Sequence, residues 1–197
     1  MNATSKEAVG LAYSLEGMLH AKRMTWEAIG QIARQVKPGM QESAAREMGL
    51  QVLREMGMER IWHPLLIRFG ANTLKTFKQR SDGDPLLQEN DLFFIDLGVV
   101  WDRHEGDCGA TFVVGDDAEM HACAAAAKSL FDQVHDHWQS HLVAGPELYR
   151  YAQEQARAMG WALNLDIKGH RVSDFPHAIY RLSLIHISEP TRRTPIS

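Results

Sequence analysis

"IDLGVVWDRHEGDCGATFVV", residues 95 to 114, consists of two apolar segments on either side of a polar centre. Segments rich in Ile, Leu, Val and Phe favour strands, and the short polar connection predicts a β-hairpin. Asp96 and Asp107 stand eleven residues apart and can face each other across that hairpin. Two close carboxylates repel unless a cation lies between them, so a divalent metal is one explanation. The alternative is that Asp96 caps a turn and Asp107 faces water.

Helical periodicity occurs on both sides of the hairpin. Apolar residues at helical spacing predict two helices before it and two after it, at residues 6–36, 41–56, 117–143 and 144–160. Short apolar segments predict strands at residues 61–70, 92–101, 109–115 and 162–170. The polar turn "DRHEGD" joins the hairpin strands, and we expect its Asp102, His104 and Glu105 to be solvated.

The order helix, helix, strands therefore occurs twice, and both second helices close on Met-Gly. This is a weak internal repeat, although α+β chains can also produce such echoes by chance. The pattern predicts an α+β fold in a single domain over residues 1–181. Its first half is residues 1–115, and residues 116–181 form a partial second half.

Histidines supply further site candidates. His170 follows Gly169 at the end of a predicted strand. Alone, such a histidine is more often a hydrogen-bonded structural residue, but with two facing acids it could be a third metal ligand. His137 and His141 lie one helical turn apart and could bind zinc. Without a third ligand at matching spacing, an exposed helix face is the favoured interpretation.

The hairpin sequence resembles that of the pita-bread metallopeptidases, family M24, which includes the methionine and Xaa-Pro aminopeptidases. The shared pattern is Asp-x-Gly, then an acid eleven residues after the first Asp, then a strand with Thr-Phe. The residues that fit it are Asp96, Gly98, Asp107, Thr111 and Phe112. A "GH" followed by a second histidine seven residues later is also typical of the family, and His170 and His177 fit it. The resemblance covers about residues 6–181 and implies two α+β halves related by a pseudo-twofold axis.

The resemblance also implies a hydrolase with two divalent metal ions, whether Mn, Co, Zn or Fe, most simply an Xaa-Pro-like aminopeptidase. The family's ligands are two Asp, one His and two later Glu. Asp96 would hold one metal, Asp107 would bridge both, and His170 would hold the other. His177 would contact the substrate or the tetrahedral intermediate. Both Glu ligands are expected after His177.

Several positions depart from the family pattern. Xaa-Pro-type peptidases carry a histidine about five residues after the Asn of a Gly-x-Asn turn, but this chain has Phe77 there. His63 is near in sequence and is assigned to substrate binding. "GHRVS" replaces the glycine-rich "GHGIG", Ala178 stands where a Glu often follows the second histidine, and Arg171 could reach a substrate carboxylate. A creatinase-like hydrolase of a small amide, and a metal-free binding module on the same fold, therefore stay open as alternatives.

The final residues, "LSLIHISEPTRRTPIS", show no helical period. The string "LSLIHISEPTR" resembles the translation of a transposase adapter used to prepare DNA libraries. The resemblance implies that residues 182–197 are a non-native tail and that native sequence stops near Arg181, so that the second half is truncated and the chain is inactive.

Composition narrows the class of partner. The net charge is −4, with acids and bases mixed and no basic stripe, so nucleic acid is not expected. The apolar runs are too short for a membrane span, and the N-terminus lacks a signal-peptide pattern. The two cysteines form no CxxC motif and no disulfide framework, which is typical of proteins in the reducing cytoplasm. A peptide or small amide is the expected partner, and a homodimer is compatible with the sequence.

Overall fold

The computed structural model describes residues 9–167, 169 and 172–176. It contains four α-helices, one 3-10 helix and a three-stranded antiparallel sheet in the order β1-β2-β3. The elements in chain order are α1 (Leu15–Ala33), α2 (Glu42–Glu55), β1 (Arg60–Phe69), the 3-10 helix (Gly70–Leu74), β2 (Asp91–Trp101), β3 (His104–Val114), α3 (Ala118–His141) and α4 (Gly145–Ala158). The α+β class is confirmed, as is the presence of all four predicted helices.

The first helix begins later than its apolar periodicity predicts. Residues 9–14 are not helical, because Ser14 is extended and its hydroxyl accepts a hydrogen bond from the N–H of Gly17. A serine in this position satisfies one of the free N–H groups of the first turn and so fixes the helix start. The prediction that this helix starts at residue 6 is therefore wrong over residues 9–14.

The hairpin is confirmed, but the predicted six-residue turn is wrong. Asp102 and Arg103 alone form the turn, with φ of 45° and 63°, and β3 begins at His104. Two-residue hairpin loops favour this left-handed geometry because it matches the strand twist. Asp102 is exposed as expected, whereas His104 and Glu105 are only 4% and 1% exposed. The expectation that these two side chains are solvated is therefore wrong.

The burial of His104 and Glu105 has a local cause. Residues 173–175 run beside the start of β3, where the N–H of Glu105 donates to the carbonyl of Ser173 (2.9 Å) and the N–H of Phe175 donates to the carbonyl of Arg103 (2.7 Å). The chain beyond α4 thus covers the hairpin end. Short-range sequence patterns do not reveal such a contact.

The core lies between α1, α2 and one face of the sheet. Alternate residues of β2 point to this face, and Phe93, Ile95, Leu97 and Val99 are at most 3% exposed. Around them pack Ala21, Ala28 and Ile32 of α1 and Val52 and Leu53 of α2. Met48 of α2, together with Met40 and Met56 just beyond its two ends, packs partly buried against this core. The opposite face of β2 carries Asp96, so the core sets which way the acid points.

The segment after α4 is not the strand that its sequence predicts. Over residues 162–167 and at residue 169, the described backbone forms no ladder. Instead the N–H of Asp166 donates to the side-chain oxygen of Asn164 (2.9 Å). This local Asx-turn competes with strand pairing and bends the chain.

Helices α3 and α4 pack against each other. The ring of His137 stacks on Tyr151 at 3.8 Å and on His141 at 4.4 Å. His141 is exposed, as the exposed-face interpretation expects, whereas His137 is half-buried against α4. No α-helix of the described chain combines the length and apolarity that a membrane span requires.

Candidate metal centre

The two aspartates of the hairpin lie on the same face of the sheet, diagonally rather than directly opposite each other. Asp96 pairs with Gly109, and Asp107 pairs with Gly98. Directly paired residues, and residues two apart on one strand, share a face. Each carboxylate therefore stands across from a glycine, which leaves room above the sheet for another group. Their side chains are 38% and 28% exposed.

His63 of β1 occupies that room. It pairs with Gly98 of the central strand, so His63, Gly98 and Asp107 form one row across the three strands. A Cβ atom added to Gly98 would overlap the His63 ring. The glycine of the Asp-x-Gly pattern is therefore what admits the imidazole between the two acids.

The local structure of β1 fixes the orientation of His63. The register of β1 shifts on both sides of His63, beside Pro64, which has no N–H to give to the ladder. The ring of Trp62 meets the imidazole edge-on at 4.6 Å, and its indole N–H donates to the carbonyl of Gly106 (3.2 Å). A bulge and an anchored aromatic ring thus hold the imidazole in place.

The three side chains lie at ligand distance from one another. The Nε2 atom of His63 is 3.3 Å from Oδ1 of Asp107 and 3.9 Å from Oδ1 of Asp96. One nitrogen and two carboxylate oxygens all fall within 4.8 Å of one another. In the described ranges, no other group of three or more His, Cys, Asp or Glu side chains meets that condition.

The acids also change the acid–base behaviour of the imidazole. Burial by itself lowers the pKa of His63, but the hydrogen bond to Asp107 and the negative charges of Asp96 and Asp107 outweigh it. The pKa of His63 is therefore raised above its ordinary value of 6.5. Next to this row, burial and the charge of Asp107 raise the pKa of the Cys108 thiol to about 12, so this cysteine is a neutral core residue.

The donor set fits a divalent transition metal. Bonds of about 2.0–2.2 Å from zinc to nitrogen and oxygen place neighbouring donors about 3–3.6 Å apart, a range that includes the 3.3 Å between His63 and Asp107 but is exceeded by the 3.9 Å between His63 and Asp96. Carboxylate and imidazole donors together suit Mn, Fe, Co or Zn better than a site of oxygen atoms alone. The two facing acids of the sequence analysis are thus arranged as metal ligands can be, with a histidine added.

The other predicted site residues fall outside the described ranges. His170, Arg171 and His177 are among them, so their predicted roles stay predictions. The described piece between them, residues 172–176, is fixed to the hairpin: the N–H of Ser173 donates to the buried carboxylate of Glu105 (3.2 Å). Asp174 accepts hydrogen bonds from the N–H groups of Gly10 (2.8 Å) and Ala12 (3.0 Å).

An open cleft borders the acids on the side of Asp96. Phe77, at the position where Xaa-Pro peptidases carry histidine, lines it and is 53% exposed. The remaining lining residues are apolar and polar in equal number: Leu66, Phe94 and Ile167, and Lys75, Thr76 and Asn164. The cleft can therefore receive an apolar group next to Asp96.

Sequence reasoning placed His63 near the site but missed its contact with both acids. The missing information was strand register, since a one-residue slip of β1 would turn His63 to the other face. One signal was available: Gly98 interrupts an apolar strand, which is typical of a position that another group approaches closely.

Comparison with known protein families gave one match, in which the profile of metallopeptidase family M24 aligns with residues 16–187. A search of curated protein sequences found no match.

Solved structures similar to this chain share its fold at low identity. An X-Pro aminopeptidase from Thermotoga maritima is 16% identical, with a TM-score of 0.67, over 87% of this chain and 51% of its own. A prolidase from Pyrococcus horikoshii is 18% identical, with a TM-score of 0.62, over 89% and 49%. A dipeptidase from Mycobacterium ulcerans is 15% identical, with a TM-score of 0.65, over 88% and 47%. The chain spans about half the length of each, and the pita-bread fold is thereby confirmed.

Proposed function

The chain belongs to metallopeptidase family M24, and we propose that its function is that of a dinuclear metal-dependent aminopeptidase of the Xaa-Pro type. The observation that carries this proposal is the pair Asp96 and Asp107 on one face of the hairpin, with a third donor at ligand distance. A hairpin that buries its other face in the core holds two acids rigidly, which suits metal binding.

The proposed roles follow the family pattern residue by residue. Asp96 would hold one ion, Asp107 would be a ligand shared by both ions, His170 would hold the second, and His177 would contact the substrate. When bound, two such ions polarise the scissile carbonyl and supply a water nucleophile at neutral pH. The metal is Mn, Co, Zn or Fe, and we place the reaction in the cytoplasm.

The cleft favours a peptide substrate that places an apolar residue beside Asp96. Leu66, Phe77 and Phe94 offer apolar surface next to Asp96, and binding an apolar side chain there excludes water from the acids. Because Phe77 can donate neither a proton nor a hydrogen bond, this chain positions its substrate without the histidine typical of Xaa-Pro peptidases.

Because the adapter interpretation makes the 197-residue chain inactive, the test is peptide hydrolysis by the metal-loaded protein that the gene encodes when it is read from unfragmented DNA. Release of the N-terminal residue from an Xaa-Pro peptide should require Mn or Co and should fall at least 100-fold in Asp107→Asn, because the bridging carboxylate is lost. Asp116→Asn, an exposed acid outside the site, is the matched control. Hydrolysis that survives in Asp107→Asn contradicts the proposed role.

A metal-free binding module is the second candidate, favoured by the hydrocarbon ring of Phe77 in the cleft. It predicts peptide binding without bound metal and without hydrolysis. The adapter interpretation of residues 182–197 also stays a proposal. The family match extends to residue 187, and sequencing the gene from unfragmented DNA past the codon for Arg181 tests that interpretation.

A further inference from the structure

We propose that His63 is itself a metal ligand, so that β1, β2 and β3 each contribute one donor to a three-ligand site. The proposal rests on the proposed function, because it takes Asp96 and Asp107 to hold metal. The resemblance assigns the family's histidine ligand to His170, and it gives His63 no ligand role. The inference reassigns His63 from substrate contact to the metal.

The first argument is the tautomer of the His63 ring. The Nδ1 atom of His63 lies 3.1 Å from the carbonyl oxygen of Pro64, which can only accept, so Nδ1 carries the hydrogen and donates. In the neutral ring Nε2 is then a lone-pair acceptor, and it faces the Asp107 oxygen at 3.3 Å. Two acceptors at this distance require a positive species between them, either a proton or a metal ion.

The position of Asp96 favours the metal over the proton. A proton on Nε2 can bridge to Asp107, but Oδ1 of Asp96 at 3.9 Å is beyond hydrogen-bond length. A metal ion can bind all three donors at once, since its bonds of about 2.0–2.2 Å span such separations. A proton on Nε2 would be bonded to Asp107 alone, whereas a metal ion would be bonded to all three side chains.

The surroundings of His63 are those of a ligating histidine. Such residues usually donate their second ring N–H to a backbone carbonyl or a carboxylate, which fixes the tautomer and the ring plane. Pro64 supplies that carbonyl, Trp62 supports the ring, and Gly98 leaves the space. The donor is therefore held in place before any ion arrives.

A nitrogen donor has a consequence for metal choice. Imidazole favours Co, Zn and Ni relative to Mn and Mg, which prefer oxygen ligands. With His63 bound, the site should prefer Co or Zn to Mn. Without it the preference should shift toward Mn.

The test is a titration of the 197-residue chain with Co²⁺, followed by calorimetry and by visible absorption. His63→Gln should weaken Co²⁺ binding by roughly 100-fold or more and change the absorption spectrum, since even outer-shell partners contribute about 10–100-fold. His20→Gln, at a half-buried histidine of α1 outside the group of three donors, should match the parent chain in both measurements. Asp107→Asn should abolish binding.

A measurement on the unsubstituted chain covers the case in which His63→Gln fails to fold. Addition of Zn²⁺ should shift the Nε2 nitrogen resonance of His63 while Nδ1 keeps its hydrogen. If that resonance does not move, or if His63→Gln binds Co²⁺ like the parent while Asp107→Asn does not, the ligand role of His63 is overturned and the proposed function stands. If the parent chain binds no divalent ion, both proposals are overturned.

Discussion

Gly98 decides which group can approach the two aspartates. It lies in the central strand, directly between His63 on one side and Asp107 on the other. Any side chain at this position would compete with the imidazole for the same space. The residue two positions after the first acid thus controls access to the space between the two acids.

Substituting Gly98 by Ala should disrupt the site without removing any donor. The new Cβ would overlap the His63 ring, so we expect displacement of the ring, weaker Co²⁺ binding and destabilisation by about 1–3 kcal/mol from overpacking. Gly109→Ala is the matched control, because a Cβ there meets only ordinary contacts, the nearest at 3.5 Å. Equal Co²⁺ affinity in the two variants would show that His63 is not held above Gly98.

The raised pKa of His63 predicts a pH-dependent stability in the metal-free chain. A group whose pKa is higher in the folded state stabilises that state below its unfolded pKa, near 6.5, and this stabilisation is lost as the pH rises through the folded pKa. In EDTA, His63→Gln should therefore lower the free energy of unfolding more at pH 5.5 than at pH 9, as measured by urea denaturation. A difference that grows with pH would reverse the sign and contradict the interaction with the two acids.

Among the elements, helices and strands follow from sequence period, whereas turns and register do not. The apolar alternation of β2 and the periodicity of α2 predict both elements closely, because burial of one face dominates their energetics. The turn at Asp102 and Arg103 carries no glycine or asparagine to mark it. The burial of Glu105 depends on residues 173–175, more than sixty positions away, so local pattern could not predict it.

Glu42, in the first turn of α2, holds the connection between β1 and β2. Its buried carboxylate accepts hydrogen bonds from the N–H of Phe69 (2.8 Å), the side chain of Asn72 (3.2 Å) and the hydroxyl of Ser81. These contacts fix both ends of the segment that carries Phe77 to the cleft. One carboxylate thus links a helix terminus to the substrate side of the site.

Glu42→Ala should destabilise the fold by roughly 2–4 kcal/mol, because it leaves buried donors without their acceptor. Glu47→Ala, one turn away and with its side chain 68% exposed, should change stability by less than about 0.5 kcal/mol. Chemical denaturation of both variants measures the difference. If Glu42→Ala is as stable as Glu47→Ala, the carboxylate does not hold this connection.

Asp174, which pairs with His104 at the start of β3, ties the N-terminal segment to the hairpin. Asp174→Ala removes the acceptor for Gly10 and Ala12, and we expect a loss of about 1–3 kcal/mol and faster amide exchange at both residues. Asp116→Ala, an exposed acid, is the control.

The lowered pKa of Asp174 also determines how its contribution to the free energy of unfolding changes with pH. Burial raises its pKa, but its hydrogen bonds, above all those from Gly10, Ser173 and Ala12, outweigh burial and lower it. The stabilisation is therefore present above the ordinary value of 3.8 and lost as the pH falls through the folded pKa. Unchanged amide exchange at Gly10 in Asp174→Ala would contradict the tether.

For the whole molecule, the sequence predicted the fold family and the hairpin acids, while the assembly of the site needed three dimensions. The order of helices and strands, with the Asp-x-Gly pattern, led to the pita-bread fold, which the matched structures share. The contribution of β1 depends on a bulge at Pro64 and on pairing with Gly98. Neither is encoded in local periodicity, because both are properties of strand register.

The most direct test of this account is the metal content of the 197-residue chain after equilibrium dialysis against Co²⁺, measured by elemental analysis. We predict at least one tightly held ion per chain, lost in Asp107→Asn and retained in Asp116→Asn. A chain that emerges from dialysis without metal, or an Asp107→Asn variant that keeps it, would contradict the central claim that this hairpin is a metal centre.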